Sequence, residues 1–556
     1  MLSPVGIVEP TRAHGDPPGT HLFDPPETEE TLASSRLKRH PRNHQIILRP
    51  QPSDSPRDPL NWSTLRKETL FVVILMLSLL TGVIGPIFVP AIGTLSEQFD
   101  VPVAKIAQLN GILVFIEGKL FPDLSAFFGY ASSYESIYGS RIISGAGMAG
   151  GAVSVGQTIV DMYFTYEHGF RVALWQVSYC ASINITPVIS GYIVADSGWP
   201  YVFYAFAAFQ GATLIALVFF CPETAYSRAA VVDDAGEVIA DKHQVQHIEN
   251  HDAEKDASST PASGSTALAA NGANEHPLSF VETLKPFSGL HSKDGIFVTI
   301  AQPVAVVFAP QIFWALLAYT QAFSWFVGTG ATYSQIYAQM YYSESVPAVG
   351  LISGIAPLVG SVLACGVSGP LTDWAARYLS KRNHGIFEPE FRLVTLVPAV
   401  ICTTIGGYIW ACMTGPEYDL MIGTVMGGFC IAGATFALCG TVGYINACYP
   451  KQAGATFAIH MILSRAAIFG QTYIWKYVLP CLSSLPGEVR TQADFLSPPL
   501  PSPQSDWLAT NGVKQFFVVF TSVSIGLWLF GGVIWVFGKV IRARTAKSRI
   551  LGWACS

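Results

Sequence analysis

The chain has 556 residues, half of them hydrophobic and 13% charged, with a formal net charge of −6. Water-soluble domains carry about 25% charged residues, so this composition and the positive mean hydropathy read as an all-α integral membrane protein and exclude an ordinary soluble fold. The negative balance predicts no nucleic-acid partner. The ten cysteines, scattered through apolar runs without a Cys-x-x-Cys pair, predict small core residues with no metal, cofactor or disulfide frame.

In chain order, residues 1–65 read as a disordered or loosely folded tail, polar and rich in proline, without a cleavable leader. Arg36, Lys38, Arg39, Arg42, Arg49, Arg57, Arg66 and Lys67 gather ahead of the first apolar run and place this end in the cytoplasm. That run, about 69–93, holds Gly82, Gly85, Pro86 and Pro90, which membrane helices tolerate where neighbours pack closely. The next apolar stretch, 105–134, is about 30 residues long, whereas two crossings and a loop need roughly 40 or more. It also carries Glu117, Lys119, Pro122 and Asp123, the charged ones costly in lipid. Runs at about 139–161, 172–195 and 201–221 follow, the first two separated by a short loop from Asp161 to Arg171.

Residues 225–298 form a linker, acidic at first and then rich in Ser, Ala, Gly and Thr, with too little apolar surface to fold. Six more apolar runs come after it, at about 303–332, 346–368, 393–413, 419–447, 453–478 and 515–538. Arg377, Lys381, Arg382 and Arg392 mark the stretch 369–392 as a cytoplasmic loop. The loop at 479–513 is unusually long, and its stretch 497–504 is Pro-rich and extended. Lys539, Arg542, Arg544, Lys547 and Arg549 place the C-terminus inside as well.

Two cytoplasmic ends require an even number of crossings. One crossing for 105–134 gives eleven in all; two give twelve and return the basic loops to the inside. Charge therefore favours twelve, while the length of 105–134 favours eleven. The expectation is that about one helix's worth of residues is missing near 118–124, as a skipped exon would leave it. The Pro-rich stretch at 480–504 fits the opposite error, a retained intron. The other reading is a genuine short re-entrant pair shielded by protein.

The segment Gly369-Pro-Leu-Thr-Asp373, with basic residues after it, resembles the loop signature of the major facilitator superfamily. There the glycine permits close helix approach and the aspartate accepts hydrogen bonds at a helix start. Gly385-Ile-Phe-Glu-Pro-Glu-Phe-Arg-Leu393 is similar to fungal drug/proton antiporter-like (multidrug/polyamine-type) members of that superfamily. Tyr138-Gly-Ser-Arg141-Ile-Ile-Ser-Gly145-Ala-Gly147 resembles its fourth-span motif. The stretch Asn184-Ile-Thr186-Pro187-Val-Ile-Ser190-Gly191 resembles its fifth-span antiporter motif, with Thr186 and Ser190 where glycines are usual. The resemblance covers about 55–550, but the first copy of the Gly-x-x-x-Asp loop, expected between spans two and three, is absent. It implies two six-helix bundles, 66–224 and 299–540, about twelve spans in all with the second and third truncated. They would rock about a mid-membrane site, with 541–556 a cytoplasmic tail.

Arg141 is the leading functional candidate, because an arginine inside a membrane is costly and usually functional; the plainer reading is a snorkelling side chain near a helix end. The resemblance links it to proton coupling. Asp373 and Arg377 would latch the second bundle, or serve as an ordinary helix cap and a solvated charge. Arg465, inside an apolar run, needs a partner or water, and His460 beside it reads more readily as a packing residue than a proton carrier. Gln311, Trp314, Gln321 and Trp325 fall on the seventh span, the last three near one face. They predict either a stacking wall for an aromatic or cationic ligand or interfacial aromatics. Asn184, Pro187 and Gly191 would bend and tighten span five, a packing role first.

The chain has no Walker-type loop and no nucleophile or metal-ligand motif, so it reads as neither an ATP-driven pump nor an enzyme. The expected function is proton-coupled export of a small organic molecule, a drug, toxin or secondary metabolite. The expected setting is the plasma membrane, the chain monomeric, with lipid, substrate and protons as its partners. The alternatives are uptake of a small cation or polyamine, which calls for carboxylates at the site, and a non-transporting relic or sensor.

Overall fold

The computed structural model describes residues 3–10, 17–22, 52–53, 55–101, 133–224, 296–333, 336–337, 344–413, 417–449, 456, 459, 461–468 and 503–548. Most of 105–134, including the expected shortfall near 118–124, lies outside the described residues, as do His460, the linker from 225 to 295 and the Pro-rich segment up to 502.

The N-terminal half begins with a knob at 52–62. Asp58 accepts the backbone N–H groups of Ser53 and Leu60, and the Asn61 amide donates to the carbonyls of Ser53 and Ser55. Helix α1 (Thr64–Val83) starts on the Ser63 cap and stops before Gly85-Pro86. Pro86 has no N–H to continue the ladder, so the chain passes through a 3-10 turn (Pro86–Ala91) into α2 (Ile92–Phe99). Three helices follow: α3 (Tyr134–Met162), α4 (Thr165–Ser197) and α5 (Trp199–Phe220). Gly145 and Gly147 lie within α3.

In the C-terminal half, the run 303–332 is not one helix. It divides into α6 (Ile296–Val307) and α7 (Pro310–Tyr333), because Pro310 cannot donate into a preceding turn and suits the first position of a new helix. Helix α8 (Val346–Arg382) corrects the expected loop: Gly369 to Arg382 is its last stretch, not a connection. Pro370 is accommodated there, and the Thr372 hydroxyl bonds the carbonyls of Ser368 and Gly369. Beyond it come a two-residue strand (Ile386–Phe387), a 3-10 turn (Pro389–Thr395), α9 (Leu396–Cys412) and α10 (Leu420–Cys448), which Asp419 caps. Residues 461–468 are helical, and the chain ends in α11 (Pro503–Leu529) and α12 (Gly531–Lys547).

Among the described residues, seven helices are long and apolar enough to cross a membrane: Thr64–Phe99, Leu174–Ser197, Trp199–Phe220, Val346–Arg382, Pro389–Cys412, Leu420–Cys448 and Val513–Lys547. The core of the C-terminal half is aromatic, with Trp410 stacked on Phe517 at 4.0 Å and Trp325 edge-on to Phe520 at 4.5 Å.

The tail also departs from expectation. Residues 3–10 and 17–22 dock on the C-terminal half. A strand, β1 (His21–Leu22), pairs antiparallel with Ile386–Phe387, named β2 here, and Ile7 is fully buried against Phe387 and Phe391. A buried apolar side chain and a matched sheet edge give this short segment something to fold onto that composition alone does not reveal.

Candidate functional site

The two halves meet most extensively along α4 and α8. Small residues let the backbones close up: a Cβ on Gly350 would strike the Pro187 carbonyl, and one on Gly191 would sit 3.2 Å from the Val346 carbonyl. A Cβ on Gly354 would come within 2.6 Å of the Asn184 carbonyl. Close backbone approach through small residues is how helices associate where lipid offers no hydrophobic drive. Asn184 and Pro187 with Gly191 are therefore on the seam between the halves. The Asn184 amide donates to the Cys180 carbonyl at 2.8 Å and to the Ser361 hydroxyl at 3.0 Å, both buried. One turn further along, the thiols of Cys180, Cys365 and Cys439 meet from α4, α8 and α10.

A second junction lies near the first. Arg465 is buried, and its Nη2 donates to the Tyr179 hydroxyl of α4 at 3.1 Å. Its guanidinium carbon stands 3.7 Å from the centroid of Phe323 on α7. Phe323 stacks on Tyr319, whose hydroxyl contacts the Met461 sulfur at 3.1 Å. A guanidinium on an aromatic face is held both by charge and by planarity. Tyr179, Phe323 and Ser361 carried no signal in the sequence, because their roles exist only where α4, α7, α8 and 461–468 converge.

Arg141 is almost fully buried on α3. Its Nη1 donates to the Ile84 carbonyl at 2.8 Å, and the guanidinium lies over Phe88 at 4.5 Å and Phe203 at 5.5 Å. Ile84 closes α1 where Pro86 interrupts the hydrogen-bond ladder, so the arginine caps a broken span from a neighbouring helix. The snorkelling reading does not fit so buried a side chain.

Asp373 and Arg377 sit exposed in the body of α8, neither in a loop nor at a helix start. The Asp373 charge acts on Arg392, whose side chain lies across Gly443 of α10. A Cβ on Gly369 would meet nothing within 4 Å, so this glycine serves no close approach here. Trp314, Gln321 and Trp325 do share a face, and it is turned to α11: Trp314 donates to the Leu527 carbonyl, and Gln321 and Trp325 both donate to the Ser524 hydroxyl. The Gln311 amide reaches the Tyr449 hydroxyl at the end of α10. All four are occupied in packing within one half. His460 is outside the described residues.

Near the start of α4, Arg171 makes a two-bond fork with Glu68 of α1 (2.7 and 2.5 Å) over the rings of Tyr163 and Phe71. Burial is the largest single influence on Arg171 and works against its charge, but the Glu68 bond together with the charges of Tyr163, Glu68 and Glu167 outweighs it and raises the pKa. Burial pushes the Tyr163 hydroxyl up to about 12. Among the described residues, no group of three or more His, Cys, Asp or Glu is placed to hold a metal ion.

A family model described as Major Facilitator Superfamily matches residues 120–471. The chain is 22% identical to protein HOL1 of Saccharomyces cerevisiae over 599 aligned residues, 95% of this chain and 96% of the relative. It is 22% identical to an MFS-type transporter of Schizosaccharomyces pombe, covering 75% of this chain and 79% of that one. The multidrug transporter TPO1_2 of Candida glabrata is 22% identical over 68% of this chain and 63% of its own. Among solved structures, a POT family transporter in complex with 5-aminolevulinic acid matches 86% of this chain and 98% of that one, with a TM-score of 0.51 at 11% identity, a likeness of fold.

Proposed function

The chain belongs to the Major Facilitator Superfamily and is a membrane transporter; we propose that it exports a small organic molecule in exchange for protons, through a site built where its two halves touch. The observation that carries this is the Arg465 junction, in which one buried guanidinium is held by Tyr179 from the N-terminal half and by Phe323 from the C-terminal half. A rocking motion of the halves must break or remake such a contact, so its occupancy is tied to which side is open. Phe323 and Tyr319 are buried and stacked on each other here, and would present flat apolar faces to an organic ligand in a state in which the halves part. The likeness to a chain named as a multidrug transporter points the same way.

Uptake of a small cation or polyamine is the weaker reading. The buried carboxylates among the described residues are Asp58, Glu388 and Glu390, none at this junction. A cationic substrate would meet a fixed arginine there.

The proposed layout keeps an N-terminal bundle at 66–224 and a C-terminal bundle at 299–540, joined by a cytoplasmic linker at 225–298, as a monomer in the plasma membrane. Even parity of the spans is supported by the contact of the N-terminal segment with Lys539 and Arg542 near the other end of the chain. The deciding experiment is flux in proteoliposomes holding the purified chain, with a panel of fluorescent organic compounds and an imposed proton gradient. Gradient-dependent movement of a neutral or anionic compound, lost in Arg465→Ala, supports export. Movement of polyamines alone would favour the cation reading, and no movement of any compound would favour the relic.

A further inference from the structure

Residues 3–10 and 17–22 lie on one end of the C-terminal half, and their contacts are of three kinds. The first is apolar: Ile7 is fully buried among Phe387, Phe391 and neighbours, while Trp535 donates its indole N–H to the Val5 carbonyl at 3.2 Å. The second is main-chain: β1 adds to β2, and the Val8 N–H donates to the Val536 carbonyl at 2.9 Å. The third is polar. Lys539 pairs with Glu9 at 2.7 Å, the Thr20 hydroxyl donates to Glu388 at 2.7 Å, and Arg542 donates to the Pro18 carbonyl and, at 3.2 Å, to Thr20. Gly19, at a positive φ of 82°, lets the backbone lie against the Ala447 and Cys448 carbonyls at the end of α10, where any side chain would collide. An apolar anchor, an added strand and a matched charge are what a peptide ligand uses to bind a groove.

Beneath this segment, Arg542 is fully buried between Glu388 and Glu390, both at 2.8 Å, and Lys539 pairs with Glu388 at 2.8 Å. Two cations face two carboxylates, so these four charges balance without the segment. Glu9 is the surplus. Departure of the segment therefore strands no buried charge, the outcome that would make it prohibitive.

We propose that residues 3–22 are a detachable strap, an intramolecular peptide ligand that pins the end of α10, the 386–391 turn and α12 together and slows the movement of the transporter while docked. The pinned elements lead inward: Tyr449, just past α10, holds Gln311 of α7, the helix that carries Phe323. A ligand acts on a conformational equilibrium only through unequal affinity for the two states. The strap meets three elements of one half at once, so it favours the state in which they keep this mutual arrangement.

The test uses the chain in lipid nanodiscs and a fluorescein-labelled peptide of residues 3–22. A variant lacking residues 1–22 should bind the peptide saturably, the full chain at least about tenfold more weakly because its own strap competes at high effective concentration. An Ile7→Asp peptide should bind at least about tenfold more weakly, since it buries a charge. Absence of saturable binding to the shortened chain, or equal binding to both, overturns the proposal. Should the shortened chain fail to fold, Val8→Cys with Val536→Cys in the full chain replaces it. Oxidation should crosslink that pair far faster than Val8→Cys with Leu65→Cys, an exposed control; equal rates overturn the proposal. Binding and crosslinking need no substrate and stand apart from the transport reading. Where flux is measurable, removing the strap should raise it at least about twofold and added peptide should reverse the gain; unchanged flux with peptide bound overturns the slowing role.

Discussion

The Asn184 amide on α4 donates to the Ser361 hydroxyl on α8 at 3.0 Å, a buried polar bond that joins the two halves of the chain in the middle of their shared seam. A net buried hydrogen bond contributes about 0.5–1.5 kcal/mol, and an orphaned partner costs about 1–3 kcal/mol. Ser361→Ala should therefore lower thermal stability in detergent, Asn184→Ala should do the same, and the double variant should cost less than the sum. Strict additivity would show that the bond does not couple the halves.

The seam's close approach gives a steric prediction. Gly350→Val should lose transport and destabilise the fold, because its side chain would meet the Pro187 carbonyl, which has no room to move. Gly366→Ala on the same helix, where a Cβ meets nothing within 4 Å, is the control and should change little. Reconstituted flux and melting temperature check both.

At the Arg465 junction, a desolvated cation–π contact is worth about 2 kcal/mol, which is ~30-fold in an equilibrium. Arg465→Ala should reduce flux by at least about tenfold. Arg465→Lys, which keeps the charge and loses the planar face, should recover part of it. Phe323→Leu should behave like the lysine variant. Equal activity of wild type and Arg465→Ala would remove this junction from the mechanism.

Arg141 makes a prediction that separates capping from charge. Arg141→Leu leaves the Ile84 carbonyl without its donor and should destabilise by about 1–3 kcal/mol. Arg141→Lys can still reach a carbonyl but cannot lie flat between Phe88 and Phe203. Its stability should fall between the two, which a melting series reads directly.

Beneath the N-terminal segment, Arg542→Met should cost about 3–5 kcal/mol, because it leaves two carboxylates buried with only Lys539 to answer them. Glu390→Gln should cost less, since Glu388 still pairs with the arginine. The order of the two melting temperatures is the check.

Much of the membrane architecture was legible in the chain. Apolar runs at about 346–368, 393–413, 419–447 and 515–538 anticipate α8, α9, α10 and the Val513–Lys547 span, because burying a hydrogen-bonded backbone in lipid requires long uninterrupted apolar helices. Arg141, Asn184, Pro187 and Gly191 were legible as exceptional residues, since polar groups and helix breakers stand out in such runs. The end of α8 was misread: basic residues mark where a helix leaves the membrane, and nothing in them says that the helix stops there.

Composition and charge placement by themselves determined that this is a helical membrane protein, because long apolar helices follow from the cost of placing polar groups in lipid; that it is a transporter came from the resemblance of its motifs. Only the tertiary structure decided that Asn184 answers Ser361, that Arg465 rests on Phe323 and Tyr179, that Trp314, Gln321 and Trp325 turn to α11, and that the N-terminal segment folds onto α12. Each of these is a pairing between residues over a hundred positions apart, and the local sequence that fixes a helix carries no information about which distant side chain will complete its hydrogen bonds.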